Sequence, residues 1–82
     1  MSLDHESPTA LYVQLADLLR GQIERGELAG RVPSVKTLAE QHEVAQGTAE
    51  RALAILRGEG LIRSAMGRGH FVVPPAGRQP QR

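Results

Sequence analysis

The tightest constraint on this chain is the shortness of one link. Apolar residues recur at helical spacing on both sides of His42-Glu43-Val44, and little more than those three residues separates the two segments. So brief a link makes a tight turn between two helices, with Val44 as its one residue expected to point into a core. Ser34, directly after Pro33, is a good N-cap, because its short side chain can accept from an unpaired first-turn amide. A helix of about two turns follows over 34–42, with Val35, Leu38 and Ala39 as its apolar residues. A longer helix over 46–59 buries Ala49, Ala52, Leu53 and Leu56, and Gly60 stops it. At about 100° per residue, Gly47, Glu50, Arg51 and Ala54 lie opposite that stripe, flanked by Gln46 and Arg57.

Upstream, Leu11, Leu15, Leu18, Leu19 and Ile23 predict another helix over 9–25, with Tyr12 and Ala16 on the same side. Ser7 can cap it, Pro8 fits a first helical position, and Gly26 ends it. Residues 27–33 are a connector. Downstream, Leu61-Ile62-Arg63-Ser64 is a short strand, Ala65-Met66-Gly67-Arg68 a turn, and Gly69-His70-Phe71-Val72-Val73 the return strand. Pro74-Pro75 ends the hairpin, since proline cannot donate to a ladder. The expected organisation is a flexible arm over 1–7, one domain over 8–74 and a disordered tail over 75–82. The fold class is α+β: three helices followed by a two-stranded β-hairpin.

Composition narrows the function. A chain of this length buries only roughly 60% of the surface its unfolded form exposes, so its stability is modest. It has no cysteine, which excludes disulfides and thiolate metal sites and suits the reducing cytoplasm. There is no basic-then-apolar leader, and no apolar run approaches the roughly 20 residues that span a bilayer. Residues 1–30 carry five acids against two arginines, whereas residues 31–82 carry eight cations against four acids. From residue 60 onward there are four arginines and no acid, a balance that suits a surface facing phosphate. An enzyme finds little support. His5, His42 and His70 lack metal-ligand spacing, and neither Gly-x-x-x-x-Gly-Lys nor Gly-x-Gly-x-x-Gly occurs. No metal or cofactor is expected.

Helix, short helix, tight turn, longer helix and basic hairpin together make a winged helix-turn-helix. Its last helix is narrow enough to enter the major groove of double-stranded DNA, and the hairpin can reach flanking phosphates or the next groove. A three-helix module that binds another protein has the same helical order. Two features weigh against it. Gly47 and Ala54 leave the exposed face of the last helix open to close approach, and the hairpin turn is basic and glycine-rich rather than apolar.

The chain resembles the GntR family of bacterial regulators over about residues 8–73. Leu11-Tyr12-Val13-Gln14-Leu15-Ala16-Asp17-Leu18-Leu19-Arg20 is similar to that family's first helix. Gly26-Glu27-Leu28, Pro33-Ser34 and Leu38-Ala39-Glu40 follow its second segment. Thr48, Arg51-Ala52-Leu53 and Glu59-Gly60-Leu61-Ile62 match its third helix and exit, and Gly67-Arg68-Gly69 with Phe71-Val72 matches its wing. The resemblance implies a regulator, usually a repressor or activator that binds palindromic operators as a dimer and carries a further effector-binding domain. No such domain lies in this chain, so a weak or DNA-dependent homodimer is expected. A DNA-binding half of a longer ligand-responsive regulator is a second reading. A protein-interaction module that has lost DNA affinity is a third.

The chain departs from the family at positions that matter for DNA. The connector is short and lacks Pro-Gly-Asp. Val35-Lys36 replaces Glu-Arg, so Lys36 keeps a charge without arginine's fork. Ala45-Gln46 replaces Ser-Arg, and Ala45 is a poor N-cap. Glu50 replaces an arginine. Gln pairs with adenine and Glu accepts from cytosine, so a different operator is expected. Glu50 either reads a base or anchors a neighbouring cation, with Lys36, Arg51 and Arg57 as candidates. The expected DNA-facing set on the helices is Ser34, Lys36, Gln46, Gly47, Thr48, Glu50 and Arg51. The hairpin adds Arg63, Gly67, Arg68, Gly69 and His70. Gly67 is expected to supply the special turn conformation, and Arg68 to hold phosphate or enter the minor groove.

Overall fold

In a computed structural model, the structure describes Leu3 and residues 10–65 and 69–74. Three helices lead into a hairpin: α1 (Leu11–Glu24), α2 (Val35–His42), α3 (Gln46–Gly58), β1 (Ile62–Ala65) and β2 (Gly69–Val72). The winged helix-turn-helix expectation is met in element order and in the antiparallel hairpin.

The first helix starts later than expected. Ala10 is its N-cap, offering its carbonyl to the Val13 and Gln14 amides without a side-chain cap. Ser7 and Pro8, the expected cap and first position, lie outside the described residues, as do all of the arm except Leu3 and the whole tail from residue 75. Leu3 itself packs against the core. The last helix ends at Gly58, one residue short of the expected Glu59, which is its C-cap. There the Leu61 amide donates to the Leu56 carbonyl and the Gly60 amide to the Arg57 carbonyl. This paired closure needs the left-handed conformation at Gly60, whose φ is +79°, and the chain leaves the helix as the sequence predicts.

The core holds Leu15, Ala16, Leu19 and Ile23 of α1 and Leu38 and Ala39 of α2. Ala49, Ala52, Leu53 and Leu56 of α3 fill its centre, closed by Val32 and Ile62. Ala49 and Ala52 are fully buried, and their small side chains let α1 approach α3 closely. Val44 packs half-buried against this core, as the turn requires.

The connector between α1 and α2 is more than a loop. Its Val32 amide donates to the His70 carbonyl at 2.9 Å, and the Val72 amide donates to the Gly30 carbonyl at 2.7 Å. Arg31 thereby forms a one-residue bridge opposite Phe71, on the edge of β2 not used by β1. This pairing ties the hairpin back to the helices and fixes the direction in which it projects.

Candidate nucleic-acid interface

Ser34 caps α2 in extended geometry, its hydroxyl oxygen accepting from the Thr37 amide at 3.1 Å and its O–H donating to Thr37 Oγ1. Lys36 stands exposed in the first turn. At the other end of α2, Glu43 takes the left-handed conformation at φ 56°, and the chain reverses into α3 within a few residues. Ala45 has extended cap geometry but no side chain to use it, so no side-chain cap covers the first amides of α3. Gln46 and Gly47 are exposed at that end, whereas Thr48 is half-buried.

The outer face of α3 divides by what its charged side chains meet. Arg51 lies on the flank toward α1, with its guanidinium 4.5 Å from the centre of the Tyr12 ring, a cation–π contact. Arg57 lies on the flank toward the hairpin, where its Nη1 donates to His70 Nε2 at 3.0 Å. That bond needs an unprotonated Nε2. Burial, and then the neighbouring Arg57 charge, hold the His70 pKa below the usual histidine range. Glu50 lies exposed between these flanks. Among the described residues no cation comes within ion-pair distance of it, so none of the three candidate partners anchors it.

Glu50, Arg51, Arg57 and His70, with Val35, Leu53 and Ala54, line one open groove of about 420 Å³. The expected site residues do not all share it. Strand pairing sets Ser64 opposite His70 and Arg63 opposite Phe71. Side chains alternate along a strand, so Arg63 occupies the hairpin face away from His70. Gly69 is exposed at φ +87°, so a special turn conformation falls on it, while Gly67 and Arg68 lie outside the described residues. Sequence reasoning missed the Arg51–Tyr12 and Arg57–His70 pairs, because each joins elements that only the fold brings together.

A third missed contact ties α1 to the end of α3. Arg20 of α1 grips Glu59 with two parallel bonds, Nε to Oε1 at 2.8 Å and Nη2 to Oε2 at 2.6 Å, and also pairs with Asp17. Glu59 sits at the negative end of the α3 dipole, where a carboxylate is disfavoured without a cation. These two carboxylates raise the Arg20 pKa further above its already high value.

Helix-turn-helix, exposed last helix and paired hairpin define a winged helix-turn-helix domain. The model of the family described as "Bacterial regulatory proteins, gntR family" matches residues 11–72. The chain belongs to this GntR family. It is 38% identical over 77 residues to the HTH-type transcriptional repressor NagR of Bacillus subtilis, spanning 92% of this chain and 32% of that repressor. Its fold is similar to YtrA from Sulfolobus acidocaldarius, a GntR-family transcription factor. The TM-score is 0.80 at 33% identity, over 89% of this chain and 79% of that one. It is similar also to AraR(DBD) in complex with operator ORX1, with a TM-score of 0.73 at 26% identity, over 89% of this chain and 99% of that one. The chain thus spans about a third of the length of its curated repressor relative.

Proposed function

We propose that this chain binds double-stranded DNA as the reading head of a transcriptional regulator, with α3 in the major groove. The observation that carries this reading is the exposed N-terminal end of α3, without a side-chain cap, on the same helix as a groove lined by Arg51, Arg57 and His70, together with the exposed Lys36 of α2. Gln46, Gly47 and Glu50 then face base edges. Lys36, Arg57, His70 and the Arg68 of the wing turn hold phosphates, while the first amides of α2 and α3 position the backbone. The likeness to a repressor and to a domain bound to its operator supports occlusion of a promoter as the mode of action. Such a role belongs in the cytoplasm and requires no catalysis.

Base contacts and phosphate contacts respond differently to mutation. Lys36→Ala is expected to weaken binding to every duplex alike and to reduce the slope of log affinity against log salt by about one. Gln46→Ala is expected to relax the preference at one base position in a selection from random-sequence duplex, leaving that slope intact. The reverse pattern would remove the assignment of α3 to the major groove.

A further inference from the structure

A carboxylate exposed on a phosphate-facing surface is a liability unless something neutralises it. Glu50 has no such partner among the described residues: Arg51 is stacked on Tyr12, Arg57 is bonded to His70, and Lys36 makes no ion pair. The acid nevertheless lines the groove on the outer face of α3. With no cation pairing it among the described residues, its oxygens accept, and it repels phosphate and any base edge that also accepts. Guanine offers two acceptors in the major groove and thymine an acceptor and a methyl group, while adenine sets an acceptor beside its amino group. Cytosine alone presents only a donor, its N4 amino group.

We propose that Glu50 is a specificity-determining residue: it selects a cytosine in the bound site and lowers affinity for all other duplex DNA. This rests on the reading of α3 as the helix in the major groove. Glu50 acts twice, accepting from cytosine where the site is correct and repelling the DNA where it is not. Discrimination therefore comes partly from a penalty on wrong sequences.

The test compares the wild-type chain with Glu50→Gln and Glu50→Ala. Each is used to select sites from a random-sequence duplex library, and each is titrated with unselected random duplex by fluorescence anisotropy. The wild type is expected to enrich one cytosine position. Glu50→Ala is expected to lose that preference, a change of about tenfold or more in discrimination, and Glu50→Gln to move it toward adenine. Both variants are expected to bind unselected duplex at least about twofold more tightly at low salt, since a repulsive charge is gone. Identical selected sites for all three proteins, or weaker binding of unselected duplex by both variants, would overturn the role of Glu50 while leaving DNA binding intact. A wild-type chain that binds no duplex at low salt would instead overturn the DNA reading, and this proposal with it.

Discussion

His70 is where a single ring couples the wing to α3, and its protonation has a worked direction. Burial and Arg57 hold its folded pKa below the ordinary value, so the neutral form contributes stability above about pH 6.5. That contribution is lost as pH falls through the folded value, because the unfolded chain takes the proton first. In the absence of DNA, thermal stability is therefore expected to fall below about pH 6.5 more in the wild type than in His70→Gln. With phosphate beside the ring the sign reverses, since the imidazolium is then favoured and binding takes up a proton. Anisotropy titrations are expected to show affinity for duplex DNA rising from about pH 7.5 to 6, with a flatter response in His70→Gln. A wild-type pH response no steeper than the variant's would remove His70 from the phosphate contacts. At this scale the sequence named most of the exposed residues of α3, because helical periodicity settles which side faces out. It left the partners of Glu50, Arg51 and Arg57 open, because flank-to-flank pairing depends on which element each side chain meets.

The helices differ in how their ends are held, and the differences are testable. Ser34 caps α2 with its own oxygen, whereas Ala45 presents the same extended backbone to α3 with a methyl group. Ala45→Ser is expected to stabilise the domain by about 0.5–1 kcal/mol in urea unfolding. A change near zero would mean that those amides already have a partner. The Arg20–Glu59 pair holds α1 against the end of α3 through two bonds, with roughly a third of each side chain exposed. A double-mutant cycle with Arg20→Ala and Glu59→Ala is expected to give a coupling of about 1 kcal/mol, reduced in high salt. Additive single effects would show that the pair contributes only packing. Gly26 and Gly60 marked two helix ends in the sequence, since a left-handed closing residue is a local requirement. The start of α1 at Leu11 was not legible, because Ser7-Pro8 offered a stronger local signal than Ala10. The Arg31 bridge was not legible either. It depends on a strand forty residues away and leaves no alternating pattern in the connector.

For the whole molecule, the order of elements was readable because each boundary carries its own chemistry: a tight turn after α2, a glycine after α3 and paired prolines after β2. Most of the buried set was readable from helical periodicity, but Val32 and Ile62 were not, since their burial depends on the docking of the connector and the hairpin, and Leu11, Leu18 and Val35 of the apolar stripes are only half-buried. The site was half readable. Its helical part follows from periodicity, but the two faces of the hairpin separate His70 from Arg63 in a way that needs the strand register. An acidic first third and a basic remainder of the sequence concentrate cations in the part that carries α2, α3 and the hairpin, despite a net charge of only +1. The most direct test of a DNA-binding role is the affinity of the wild-type chain for random-sequence duplex across a range of salt concentrations, read by fluorescence anisotropy. DNA binding predicts that log affinity falls linearly with log salt, at a slope near −0.9 for each phosphate neutralised, on the order of several contacts in all. Absence of binding at low salt, or affinity indifferent to salt, would contradict it.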